Sequence, residues 1–318
     1  MFTIDRLSRV LACLGLLAAT AGQAQPVDRP DTGILTNKLY TPDWDGICAE
    51  GTQLGAGCDA IRAREIVDAA ASPWRAIGRV NYASTRIRGH CTGTLVGERV
   101  VATAAHCLYN AARKSWVPAQ SLLFAAGYQR GGFEVISRVD RYVLDQGQDP
   151  TGPDFSDDPT ADWALLILAE PLGRDLGTLA PRGIDSTDLW HTDLAFAGYP
   201  ALREHVLSVE EDCGGDDLVL GGRFLLQQCP VMRGDSGGPV LAVEEGRLSL
   251  VAVLSGVIRD GTALVSGSVP VAVFADALRR ELDPGALPDE IVPLPPAAEP
   301  LPAGDAAVPP APPTAQGR

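Results

Sequence analysis

Gly234-Asp235-Ser236-Gly237-Gly238-Pro239 sets one serine among three glycines and closes on a proline. Glycine adopts backbone angles that a Cβ forbids, so the run reads as a tight loop that exposes its hydroxyl. The same loop bares neighbouring backbone N–H groups, which can stabilise a developing oxyanion. A serine hydroxyl is a weak nucleophile at neutral pH. It needs a base to take its proton and a carboxylate to hold that base in the right tautomer. The loop is informative only if the chain supplies both.

Of the four histidines, His106 stands out. It lies in Thr103-Ala104-Ala105-His106-Cys107, directly after the apolar run at 100–102. A disulfide at Cys107 would restrict where the imidazole points. His90, His191 and His205 read as surface or satisfied core histidines, although Cys91 ties His90 to the same loop. The carboxylate is found in Asp162, which begins Asp162-Trp163-Ala164-Leu165-Leu166-Ile167-Leu168. An acid at the mouth of an apolar strand is shielded from water yet able to accept hydrogen bonds. That environment suits a carboxylate that orients imidazole without being protonated. Alone, it would read as a strand-capping aspartate.

Arg6 and Arg9 precede an apolar run over 10–20 that is too short to span a bilayer. Ala19-Thr20-Ala21 and Gly22-Gln23-Ala24 are rival cleavage sites, so residues 1–24 are expected to be a secretory signal. Cys13 stands at the start of the apolar run, the wrong end for a lipid-anchored cysteine. A secreted or periplasmic protein follows, with no membrane association after cleavage. Of seven cysteines, six remain beyond the signal: Cys48, Cys58, Cys91, Cys107, Cys213 and Cys229. An even number behind a signal implies disulfides. Their closeness along the chain favours 48–58, 91–107 and 213–229. A metal site is disfavoured, because the pairs lack CxxC spacing and no histidine cluster accompanies them. No cofactor is implied. The net charge of −14, from 40 acidic and 26 basic residues, argues against nucleic acid or anionic lipid as a partner.

Residues 25–65 read as an N-terminal extension or pro-segment. From 66 to 282, short apolar runs alternate with Gly, Asp and Pro, as at 77–80, 94–96, 100–102, 164–168, 194–197, 240–243 and 250–254. Runs of this length between turn signals predict an all-β sandwich or barrel rather than βαβ units. One amphipathic stretch, 273–282, predicts a helix that Asp283-Pro284-Gly285 stops. Residues 283–318, rich in Pro and Ala, predict a disordered or extended tail. The acidic stretch 145–158 has no fixed-offset pattern of calcium ligands and reads as a solvated, mobile loop.

Taken together, Thr-Ala-Ala-His-Cys at 103–107, Asp-Trp-Ala-Leu-Leu at 162–166 and Gly-Asp-Ser-Gly-Gly-Pro at 234–239 resemble the chymotrypsin/trypsin-like serine peptidases, in their secreted bacterial branch. The order His…Asp…Ser is that family's and differs from subtilisins and α/β-hydrolases. The resemblance covers 66–282. It implies two six-stranded antiparallel β-barrels with a C-terminal helix, and a monomer acting on proteins or peptides. It makes Ser236 the nucleophile, His106 the general base and then acid, and Asp162 its orienter. It gives the oxyanion hole to the N–H groups of Gly234 and Ser236. Ser255 resembles the serine that supports the aspartate and lines the cleft.

The resemblance also raises two questions. In zymogens of the family, the aspartate matching Asp235 pairs with a newly cut N-terminal amine. Arg64-Glu65-Ile66-Val67-Asp68 offers a place for such a cut, and the alternative is a chain active as secreted. A preference for Lys or Arg needs an acid six residues before the nucleophile, where this chain has Pro230; Met232 replaces the usual cysteine. With Arg233 beside the oxyanion hole and no histidine near Ser255, a small or apolar side chain is expected first and an acidic one second. A peptidase-like binding protein without turnover, or an esterase using the same residues, are the competing readings.

Overall fold

The computed structural model describes residues 56–83, 88–214, 217–260 and 263–282. The expected signal, the chain up to 55 including Cys48, and the tail from 283 lie outside the described residues. The expected all-β fold is present. Its first half contains β1 (Glu65–Ile66), β2 (Ile77–Ala83), β3 (Arg88–Leu95), β4 (Val100–Thr103), β5 (Tyr109–Asn110), β6 (Ser115–Trp116), β7 (Leu122–Ala126), β8 (Val135–Leu144) and β9 (Ala164–Leu168). Its second half contains β10 (Ala180–Pro181), β11 (Asp193–Gly198), β12 (Ser208–Glu210), β13 (Asp217–Val219), β14 (Phe224–Gln227), β15 (Pro239–Glu244), β16 (Arg247–Asp260) and β17 (Ala263–Pro270). Helix α1 (Ala56–Ala63) precedes the strands and α2 (Val271–Leu282) follows them.

Six antiparallel strands close a barrel in the order β2-β3-β4-β9-β8-β7. The eight strands of the second half and β1 form a nine-stranded sheet, ordered β1-β12-β11-β15-β16-β17-β14-β13 with β10 paired to β16. Among the described residues this second path does not close as a six-stranded ring; the short strands β1, β10 and β13 extend it. The run at 164–168 shows why the sequence reads as continuously apolar there. Leu166 and Leu168 join the barrel core, while Leu165 joins a second core with Val253, Val269 and Phe274. Strand side chains alternate between faces, so a strand buried on both sides has no polar face to show.

Helix α2 begins two residues earlier than the sequence predicts, at Val271. It buries Val271, Phe274, Ala277 and Leu278, and Phe274 breaks the helical dihedrals locally. The Phe274 ring stacks on Trp163, with centroids 5.3 Å apart and planes 25° off parallel. Trp163 follows Asp162 directly, so the C-terminal helix backs the strand mouth that carries that aspartate. Among the described residues no helix is long and apolar enough to cross a membrane.

The acidic stretch 145–158 is organised by its own carboxylates. Asp149-Pro150-Thr151 and Asp158-Pro159-Thr160 each fold the aspartate Oδ1 onto the N–H and hydroxyl of the threonine two residues on, at 2.7–2.9 Å. Asp145 accepts from the Gly147 N–H and from Trp163 Nε1. These local bonds shape the loop.

Phe274→Ala is expected to lower stability in urea unfolding by about 3–5 kcal/mol. A loss below about 1 kcal/mol would show that α2 adds little to the core.

Candidate active site

The register of β4 on β9 assembles the first part of the site. Thr103 pairs with Ala164 at the end of the ladder. In an antiparallel pair, residues just after one strand meet residues just before the other. The short 3-10 turn Ala105–Leu108 after β4 therefore lies against Asp162 before β9. The Asp162 side chain is fully buried and its oxygens are used. Oδ1 accepts from the His106 backbone N–H at 2.8 Å. Oδ2 lies 2.8 Å from His106 Nδ1 and accepts from Ser255 Oγ at 2.5 Å. An ionised carboxylate only accepts, so the proton is on Nδ1 and the Nε2 lone pair is left free to take another. Ser255 lies on β16, so this one carboxylate joins the barrel to the second sheet.

Ser236 is held by backbone. Its carbonyl accepts from the Thr92 N–H at 2.8 Å, and the Gly237 N–H donates to Leu254 at 2.8 Å. Thr92 Oγ1 donates to the Gly234 carbonyl and accepts from the Tyr199 N–H, while Thr103 Oγ1 donates to the Thr92 carbonyl. Gly237 has φ +73°, and a Cβ there would lie 2.1 Å from Thr103 Oγ1 and 2.6 Å from the Thr92 carbonyl. Gly234 has φ +94°, and its Cβ would meet the Tyr199 carbonyl at 2.4 Å and His90 Nε2 at 2.6 Å. Both glycines are therefore required twice, by dihedral and by space.

Cys91 is bonded to Cys107 and Cys213 to Cys229. Cys58 is disulfide-bonded and buried. Cys107 Sγ lies 4.0 Å from His106 Nε2 and 3.8 Å from the Ser236 carbonyl. A disulfide sulfur carries no proton, so these are packing contacts that set the imidazole and the serine loop on one wall. Among the described residues no hydrogen bond links the Ser236 hydroxyl to His106 Nε2. Without substrate such bonds are commonly long and tighten only when the complex forms. Cys91, His106 and Cys107 are close enough to suggest a metal site, but the disulfide leaves neither cysteine a thiolate to offer.

Two features of the site escape sequence reading. Asp235 is fully buried and forms a two-point ion pair with Arg64, at 2.8 Å and 3.2 Å. Sequence placed Arg64 only as the basic residue of a cut site; its buried side chain faces inward, while Glu65 and Ile66 lie exposed. His90 is partly buried, and its Nε2 donates to the Tyr199 carbonyl at 2.9 Å. Desolvation, then the nearby Arg79 charge, pushes its pKa down to about 3. Of the residues expected around the substrate, Ser255 is buried on the aspartate. Pro230 and Arg233 are partly exposed on the segment leading to Ser236, where the Arg233 carbonyl accepts from the Ala201 N–H.

Residues 91–253, just over half of the chain, match the family described as Trypsin-like peptidase domain, and the chain belongs to that family. Among curated proteins, the Glutamyl endopeptidase of Bacillus licheniformis is 26% identical over 136 residues, which are 42% of this chain and 39% of the relative. The chain thus spans about two fifths of that relative's length. Among solved structures, a Glu endopeptidase in complex with MPD superposes with a TM-score of 0.56 at 18% identity, over 69% of this chain and 96% of the other. A thermostable serine protease, AL20, gives 0.47 at 19% identity, over 62% and 91%.

The His90 shift makes a pH prediction. The folded chain refuses a proton that the unfolded chain binds below about pH 6.5. Stability from neutral His90 is therefore full above that pH and is lost as pH falls toward about 3. The slope is at most about 1.4 kcal/mol per pH unit. His90→Gln is expected to flatten this acid limb in urea unfolding; an unchanged limb would place the acid sensitivity elsewhere.

Proposed function

We propose that this protein is a secreted serine endopeptidase that cleaves peptide bonds through an acyl-enzyme. The observation that carries the reading is the Asp162 carboxylate, which holds both the His106 ring and Ser255 while the glycine-flanked Ser236 lies on the same wall. Ser236 Oγ attacks the scissile carbonyl and gives its proton to His106 Nε2. Asp162 stabilises the imidazolium that results and keeps its orientation. The negative oxygen of the tetrahedral intermediate lies against the N–H groups of Gly234 and Ser236. His106 then protonates the leaving amine, and water, activated by the same imidazole, releases the acyl group from Ser236. Disulfides fit an oxidising compartment outside the cytoplasm.

Pro230 supplies no charge for a lysine or arginine side chain. Arg233, three residues before the serine, and the glutamyl endopeptidase relative support an acidic side chain on the acyl side of the cut. This reverses the sequence-based order, which put a small or apolar side chain first.

A fluorophosphonate probe is expected to label the wild type on Ser236 and to leave Ser236→Ala unlabelled. An unlabelled wild type would favour a binding protein without turnover. Asp162→Asn is expected to lower kcat by about 10⁴-fold, the scale of an imidazole held in the wrong tautomer. Paired peptide and ester substrates separate a peptidase from an esterase. In a peptide library, cuts after Glu and Asp are expected to dominate; dominance of Ala, Val or Leu would restore the apolar order.

A further inference from the structure

Arg64 is buried, and both terminal nitrogens of its guanidinium are bonded, while its Nε has no hydrogen-bond partner among the described residues. Nη1 donates to Asp235 Oδ2 at 2.8 Å and Nη2 to Asp235 Oδ1 at 3.2 Å. Nη2 also donates to the Ser208 carbonyl at 2.9 Å, and the guanidinium lies 5.1 Å from the centre of the Phe196 ring. Both side chains of the ion pair are 0% exposed. Asp235 Oδ2 accepts in addition from the Met232 N–H at 3.0 Å, so the carboxylate fixes the turn that runs from Met232 into Gly234 and Ser236. Burial pushes the Asp235 carboxyl up, and the Arg64 guanidinium opposes that shift. A carboxylate this deep needs a cation beside it, and here that cation is the Arg64 side chain.

We propose that Arg64 is the positioning residue of the oxyanion loop, the fixed countercharge of Asp235, so that the protein is competent with its Arg64–Glu65 bond intact. This rests on the peptidase reading above. It opposes the expectation that a cut near Arg64 frees an amine to do this work. Glu65 and Ile66 are already in β1, paired with Val209 and Ser208 of β12. An amine at residue 65 would have to leave that ladder and displace the guanidinium to reach Asp235. The Arg64 carbonyl is held as well, accepting from Arg203 Nη1 at 2.9 Å. Facing the guanidinium, β11 and β12 present carbonyls and the Phe196 ring, and the serine loop presents Asp235. Asp235 is thus its carboxylate partner; Arg203 bonds the segment's backbone at Arg62 and Arg64, and the charged Arg62 and Glu65 on either side of Arg64 are exposed.

The two arrangements differ in their response to alkali. A guanidinium keeps its charge throughout the working range, whereas an α-amine loses it near about pH 8. In the wild type, kcat/KM is expected to hold level from about pH 8 to about pH 10. Arg64→Lys is expected to stay within about tenfold of wild type at neutral pH. It should gain an alkaline fall at or below about pH 10, as the buried ammonium titrates. Arg64→Met, which keeps length and loses charge, is expected to lower kcat by about 10²–10³-fold with KM little changed, the scale of losing one oxyanion donor. A lysine variant without the alkaline fall would overturn the proposal, and that result does not depend on the methionine variant folding. N-terminal sequencing of the fluorophosphonate-labelled protein gives the decisive control. Labelled chains are expected to begin before Arg64. Label confined to chains that begin at Glu65 would overturn the proposal and leave the peptidase reading standing. Label on no form at all would reject the peptidase reading, and this inference with it.

Discussion

The burial of the Asp162 carboxylate constrains most of this molecule. A fully buried negative charge is tolerated only where donors surround it. Those donors come from distant parts of the chain: the turn after β4 gives the His106 backbone and ring, and β16 gives Ser255. Satisfying the carboxylate therefore requires the β4–β9 register and the docking of the second sheet together. Trp163, the next residue, stacks on Phe274 of the C-terminal helix, and the Asp162 side chain is closed off from water. Stability and the geometry of the candidate site are in this sense one requirement.

The serine loop obeys a different constraint. Apart from the Asp235 carboxylate, its shape comes from hydrogen bonds between backbone groups and from two threonine hydroxyls of the barrel. Thr92 both donates and accepts, tying Gly234 to Tyr199. Carbonyls of Gly234 and Ser236 and the N–H of Gly237 carry the attachment to the surrounding strands. The glycines matter less for flexibility than for the close approach of Thr103, Thr92 and Tyr199 that their missing Cβ atoms allow.

Much of this was legible in the sequence, for physical reasons. Short apolar runs announced the strands, 164–168 among them, whose burial on both faces the structure shows. His106 and Asp162 were legible because each sits within a few residues of a strand end, where local pattern fixes position. The Asp-Pro-Thr tripeptides of the acidic loop carried local hydrogen bonds that a reading by charge alone passes over, since aspartate two residues before threonine satisfies itself locally. What the sequence hid was long-range polar pairing. Arg64 and Asp235 are 171 positions apart, and no periodicity links them. An arginine before an exposed strand looks like a protease site, because hydropathy marks the charge and says nothing of where the side chain points. The extension of the second sheet by β1, β10 and β13 was hidden similarly: two- and three-residue strands carry no pattern.

The Arg64–Asp235 pair joins these two constraints. A buried ion pair stabilises little in itself, because desolvation offsets most of the attraction, but removing one partner strands the other at a cost of about 3–5 kcal/mol. Beyond that cost, the pair favours one arrangement of the loop over others. A guanidinium is better suited to this than an ammonium: its planar fork meets both carboxylate oxygens at once, and so fixes the carboxylate's rotation as well as its place. The rotation matters because the same Asp235 oxygen also receives the Met232 N–H, two residues before Gly234. The conformation of the loop that carries Ser236 is in this way set by a residue that precedes the first strand of the fold.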